Sequence, residues 1–140
     1  MQKDDMVRFG VSIPPSLLEA FDTYLKRRQY TTRSEGIRDL IRDALVEEEW
    51  TANAPIVGTL TIVYDHHTRE LADRLTELQH RHYAAVLSTL HVHLDHDNCL
   101  EVLVLRGHAK SVQAFADQVL SIRGVKHGKF VATTTGAHLA

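Results

Sequence analysis

The sequence holds one cysteine, Cys99, in 140 residues, together with only 3 prolines and 7 glycines. A single thiol excludes an intramolecular disulfide and fits a reducing compartment. The scarcity of Pro and Gly, beside 44% hydrophobic and 24% charged residues, excludes disordered, collagen-like and low-complexity chains. Long apolar runs are also missing. Stretches such as Leu103-Val104-Leu105 are far too short to span a bilayer. The start, Met1-Gln2-Lys3-Asp4-Asp5, lacks the apolar core of a signal peptide, so a cytoplasmic location and no membrane partner are expected. Excess positive charge is absent too: 16 Lys and Arg face 18 Asp and Glu, a net charge of −2. Bulk charge therefore does not point to nucleic acid. Histidine is missing from the first 65 residues, yet ten lie at or beyond His66. Two halves with different chemistry are implied, with Thr51-Ala52-Asn53-Ala54-Pro55 as the join. The expected organisation is a first domain over 1–50, a linker over 51–55 and a second domain over 56–140.

In the first half Val7, Phe9, Val11 and Ile13 alternate with Arg8, Gly10 and Ser12, the pattern of a strand with one apolar face. Pro14-Pro15 ends that strand and opens a helix carrying Leu18, Phe21 and Leu25. A loop at Gln29 to Thr31 precedes Thr32-Arg33-Ser34-Glu35, which reads as a capping box. The helix after it carries Ile37, Leu40, Ile41, Ala44 and Leu45 on one face and is expected to fray in Glu47-Glu48-Glu49. One strand and two helices cannot finish a sheet. Two copies pairing their strands as an antiparallel ribbon would. Arg8, Gly10 and Ser12 would then face outward. A two-stranded ribbon fits the major groove, where Arg and Ser can bond base edges and Gly10 lets the backbone come close. The start of the second helix, with Thr32, Arg33 and Ser34, suits a phosphate. The competing reading is an ordinary edge strand whose polar face meets water. The order strand-helix-helix, with these motifs, resembles the ribbon-helix-helix repressors.

In the second half, Ile56–Tyr64 predicts a strand, Arg69–His82 a helix, Val86–Leu94 and Cys99–Arg106 two strands around a turn, Val112–Leu120 a helix closed by Gly124, and Val125–Thr134 a last strand. The fold class expected is α+β: a ribbon-helix-helix domain followed by a ferredoxin-like, ACT-like βαββαβ domain. Within Leu90-His91-Val92-His93-Leu94 the alternation puts both histidines on one face. Cys99 opens the partner strand after a short turn, so His91, His93 and Cys99 can converge on one metal ion. The alternative is a pair of exposed histidines beside an inert buried thiol. His82 continues the Leu71-Leu75-Leu78 stripe, whereas His80 lies about 200° from Leu78 and points outward. By itself His80 reads as a solvated helix-end residue.

The whole chain resembles the nickel-responsive transcriptional regulators. The resemblance rests on Val7–Ile13, Thr32–Asp43, Gln79-His80, Thr89–Leu94, His96–Glu101 and Arg123–Gly128. It implies a Ni(II) ion per chain, held by His91, His93 and Cys99 of one subunit and His80 of a neighbour. It implies a homotetramer, a dimer of dimers, which binds a palindromic double-stranded DNA operator and represses nickel-uptake genes. Tyr64 and His66 match positions around the nickel site, and Glu101 could orient a histidine ligand. Glu35 and Asp39 match carboxylates that hold a second cation in some relatives, although a capping partner and a solvated helix face would also explain them. Arg69 matches a loop residue that touches the DNA backbone, with Thr68 beside it where a second basic residue can occur. His67, His96, His108, His127 and His138 receive no role.

The donor chemistry agrees, since imidazole suits nickel, copper and zinc and thiolate adds softness. Copper should bind more tightly than nickel in the usual order, so selectivity must come from geometry. Two other classes compete. A metal-dependent hydrolase needs an open coordination position and a general base, and four protein ligands argue against it. An ACT-like regulator answering to an amino acid needs no His and Cys cluster. No enzymatic activity is expected.

Overall fold

The computed structural model describes residues 5–68, 70–82 and 84–140. The chain divides into two compact units, one of residues up to Leu45 with His138–Ala140, the other Val46–Ala137. The division falls inside a helix, and the segment 51–55 belongs wholly to the second unit.

In the first unit α1 spans Pro15–Arg27 and the start of α2 follows, α2 running over Arg33–Thr51. Pro15 supplies a preset φ at the first turn of α1, as expected. At the start of α2 the Thr32 hydroxyl accepts the Glu35 N–H at 3.2 Å. The Glu35 carboxylate reaches back to accept the Thr31 N–H at 3.1 Å and the Thr31 hydroxyl at 2.9 Å. The two helices meet where Gly36 faces Leu25. A Cβ at Gly36 would stand 2.2 Å from Leu25 Cδ2, so a larger residue there would force the Leu25 side chain to shift. Little else is buried. Leu40, Ile41 and Leu45 on α2 remain exposed, as do Val7, Phe9, Val11 and Ile13. Residues 5–14 form no strand in the single chain, which departs from the expected strand over 7–13. A strand exists through a partner's hydrogen bonds, and among the described residues no strand pairs with residues 7–13.

The expected fraying of α2 in Glu47-Glu48-Glu49 does not occur, and the helix continues to Thr51. The cause is tertiary. Trp50 stacks edge-on against Phe130 with ring centroids 5.4 Å apart, and its Nε1 donates to the Thr133 carbonyl at 2.9 Å. Glu49 accepts the Thr134 hydroxyl at 2.8 Å.

The second unit is built from β1 (Pro55–Asp65), α3 (Leu71–Arg81), β2 (Val86–His93), β3 (Asn98–His108), α4 (Ala109–Leu120) and β4 (Val125–Thr133). The strands form one antiparallel sheet in the order β2-β3-β1-β4, the ferredoxin-like arrangement. One face is covered by α3 and α4. There Ile56, Leu60, Ile62, Leu103 and Leu105 pack with Leu71, Leu75, Val112, Phe115 and Val119. After α4, Gly124 turns the chain at φ +103°, a conformation that favours glycine. Asn53 ties the segment before β1 to the start of α4: its Oδ1 accepts the Lys110 N–H at 2.8 Å. The opposite face carries Leu90, Val92 and Val131, all exposed. His82, expected on the apolar stripe, is exposed at the end of α3, though its ring meets Phe115 edge-on at 5.2 Å.

Candidate metal centre

The pleat and the register assemble the centre. His93 lies opposite Cys99 and His91 opposite Glu101 across β2 and β3, while Cys99 lies opposite Tyr64 and Glu101 opposite Ile62 across β3 and β1. Because cross-strand partners share a face, His91, His93, Cys99, Glu101 and Tyr64 stand on the helix-covered side of the sheet. β2 is the edge strand, and its two histidines are exposed, whereas Cys99 is fully buried.

One donor atom each from His91, His93 and Cys99 lies within 4.8 Å of the others, and His93 Nδ1 is 3.4 Å from Cys99 Sγ. Donors at about 2.0–2.3 Å from a shared ion stand about 3 Å apart when adjacent and about 4.5 Å when opposed. The trio therefore lies close to the spacing that ligands of one ion take. Burial, reinforced by the carboxylates of Asp95 and Glu101, raises the Cys99 thiol above its usual value. A cation beside the sulfur supplies the charge that makes the thiolate favourable.

A partly buried relay sets the orientation of His91. Gln79 Nε2 donates to Glu101 Oε1 at 3.3 Å, and the Tyr64 hydroxyl donates to Glu101 Oε2 at 3.3 Å. Burial first, then the charges of Glu101 and Cys99, pushes the Tyr64 phenol well above its ordinary value, so it stays protonated. Its only proton serves Glu101. The 3.2 Å contact between the Tyr64 oxygen and His91 Nδ1 is then an acceptance from Nδ1–H. That tautomer leaves Nε2 of His91 free to bind a metal.

The remaining expected residues fall as follows. His80 is exposed on the last turn of α3 and is not one of the donor atoms brought together within the single chain. His66 sits edge-on to His93, ring centroids 6.0 Å apart. Arg8, Gly10 and Ser12 are exposed in the unpaired segment before α1. Arg33 is held by Asp22 through two bonds, Nε to Oδ1 at 2.9 Å and Nη2 to Oδ2 at 3.0 Å, which draws Asp22 below the usual carboxylate range. Glu35 bonds Thr31, and Asp39 accepts the Tyr30 hydroxyl at 2.6 Å and Arg42 Nη1 at 2.9 Å, so each carboxylate has partners of its own. Arg69 lies outside the described residues. Sequence reasoning missed Gln79 as the support for Glu101, since only the folded sheet brings them together. It also passed over a second group, His67, His96 and Asp97, whose donor atoms lie within 4.8 Å of one another.

Comparison with known proteins places these observations in a family context. Residues 57–133 match the family described as the NikR C terminal nickel binding domain. The chain is similar to proteins named as nickel-responsive regulators. That of Desulfovibrio desulfuricans is 56% identical over 136 residues, 97% of this chain and 99% of the relative. That of Geobacter sulfurreducens is 57% identical over 136 residues, 96% of this chain and 98% of the relative. That of Caldanaerobacter subterraneus is 52% identical over 137 residues, 97% of this chain and 89% of the relative. Among solved structures, an uncharacterized protein from Thermotoga maritima matches with a TM-score of 0.51 at 21% identity, over 57% of this chain and 99% of its own. That likeness is one of fold alone.

Proposed function

The chain belongs to the nickel-responsive regulator family, a family of regulators rather than enzymes, and from that premise we propose that it is a DNA-binding transcriptional repressor of nickel-uptake genes. It would act in the cytoplasm as a homotetramer, a dimer of dimers, on a palindromic operator. The observation that carries the reading is the convergence of two imidazoles and one thiol within 4.8 Å in the part of the chain that matches the nickel-binding family.

His91, His93 and Cys99 would hold one Ni(II) per chain, with His80 of a neighbouring copy as the fourth ligand. Nickel, when bound, supplies the positive charge that favours the Cys99 thiolate. Tyr64, Glu101 and Gln79 fix the His91 tautomer, and His66 packs beside His93. The exposed apolar faces support the assembly. Val7, Phe9, Val11 and Ile13, with Leu40, Ile41 and Leu45, give each first unit an apolar surface that a second copy can cover, pairing residues 7–13 into a ribbon. Leu90, Val92 and Val131 offer the second unit's open sheet face to the same end. On such a ribbon Arg8 and Ser12 would read bases and Gly10 would allow close approach. Arg33 would leave Asp22 for a phosphate, and Glu35 with Asp39 would hold a second cation. Metal donors drawn from two copies raise the population of assemblies able to span both half-sites. Linkage then requires DNA to tighten nickel binding by the same factor.

The test is DNA binding by the full chain with and without Ni(II), read by gel shift or anisotropy on operator and scrambled duplexes at one stated salt concentration. Nickel-dependent preference for the operator supports the reading. Equal binding in all four conditions contradicts it.

A further inference from the structure

Five residues separate His93 from Cys99, and a single acid–amide pair holds their backbone. Asp95 Oδ1 accepts the N–H groups of Asp97 and Asn98 at 2.9 and 2.8 Å, and the Asn98 side-chain amide at 3.1 Å. Asp95 Oδ2 accepts that same amide at 3.1 Å. In return the Asn98 carbonyl accepts the N–H groups of Leu94 and Asp95 at 2.9 and 3.3 Å. The remaining acceptor, Asn98 Oδ1, takes the Lys126 ammonium from β4 at 2.6 Å. Every polar atom of Asn98 is therefore engaged. Asn98 leads directly into Cys99, which pairs across the hairpin with His93 and brings Sγ to 3.4 Å from Nδ1. β2 is an edge strand with β3 as its one neighbour, so the ladder and this turn together decide where its histidines stand.

We propose that Asp95 and Asn98 are the positioning pair that sets the preference for nickel at His91, His93 and Cys99. The inference rests on the nickel reading of that trio. Neither residue of the pair is among the donor atoms gathered there, so the pair acts through the placement of His93 against Cys99. Zinc has no geometric preference from its d electrons, whereas Ni(II) favours square-planar or tetragonal donor sets. Donors held at a fixed separation can therefore discriminate between the two ions, and donors free to drift adapt to zinc. Loosening the turn costs nickel more than zinc.

Two variants of the full chain test the pair. Asp95→Ala removes the acceptor of the turn, while Asp95→Asn keeps an oxygen for the Asp97 and Asn98 N–H groups. Ni(II) and Zn(II) affinities are measured in parallel by competition against a chelator, with the thiolate-to-nickel absorption band recorded alongside. Asp95→Ala should lose about tenfold in Ni(II) affinity and less in Zn(II) affinity, with a shifted band, and Asp95→Asn should restore most of the loss. In the metal-free chain, hydrogen exchange of the Leu94, Asp97 and Asn98 N–H groups should be faster in Asp95→Ala than in the native protein or Asp95→Asn. Equal falls for both ions in Asp95→Ala, or native affinities with native exchange, overturn the proposal. A native chain with no thiolate-to-nickel band removes the nickel reading itself. A native band with an unchanged nickel-to-zinc ratio in Asp95→Ala removes only the role of the pair.

Discussion

The two units solve the burial problem in opposite ways. In the second, Val46–Ala137, a sheet and two helices enclose Leu60, Ile62, Leu103, Phe115 and Val119 completely, and the candidate metal donors grow out of that core. In the first, Leu25 is the one buried apolar side chain among the described residues, while Val7, Phe9 and Val11 lie open to solvent. One unit encloses a core within a single chain, and the other leaves most of its apolar side chains open. The difference fits the proposed division of work: a unit with its own core suits holding an ion, and a unit that pairs with a second copy would suit a ligand with two-fold symmetry.

Perturbing each unit sharpens that contrast. Phe115→Ala empties the centre of the second unit and should lower its stability by about 3–5 kcal/mol, measured by urea denaturation followed in the near-ultraviolet. The first unit should answer chiefly to protein concentration, because its apolar faces close only on a second copy. A melting profile of that unit independent of concentration would break the contrast. At the centre, Glu101→Gln weakens the acceptor that holds the Tyr64 hydroxyl and, through it, His91. Nickel affinity should fall about 10–100-fold with the stoichiometry kept, as competition against a chelator would show. On the DNA side, Arg8→Ala should cost about 1–3 kcal/mol of operator binding and relax preference for the operator. Equal losses on operator and scrambled duplexes would assign Arg8 to the backbone instead. Smallest of all, Thr32→Ala removes the hydroxyl that caps α2 and should cost about 1 kcal/mol, seen in the melting of the first unit and not in nickel binding.

What was legible in the sequence follows the same division. The strands, helices and hairpin of the second unit were readable within a few residues, because pleat alternation at Leu90–Leu94 and the helical spacing of Val112, Phe115 and Val119 are local signals. The pairing of His91, His93 and Cys99 was legible for the same reason, since a short hairpin fixes which side chains share a face. The length of α2 was not legible. Trp50 keeps the helix intact by reaching Phe130 and Thr133, about eighty residues onward. Nor were the roles of Gln79, which meets Glu101 only after folding, or of His67, which meets Asp97 across two loops. The alternation at Val7–Ile13 is visible in the sequence, yet the single chain forms no strand there, and the proposed ribbon would draw its partner strand from a second copy.

The central claim is that His91, His93 and Cys99 make a nickel centre, and a Ni(II) titration followed by electronic absorption tests it most directly. The native chain should develop a thiolate-to-nickel band that saturates at one ion per chain, and Cys99→Ala should show no such band. A featureless titration of the native chain, or a band that survives in Cys99→Ala, would contradict it.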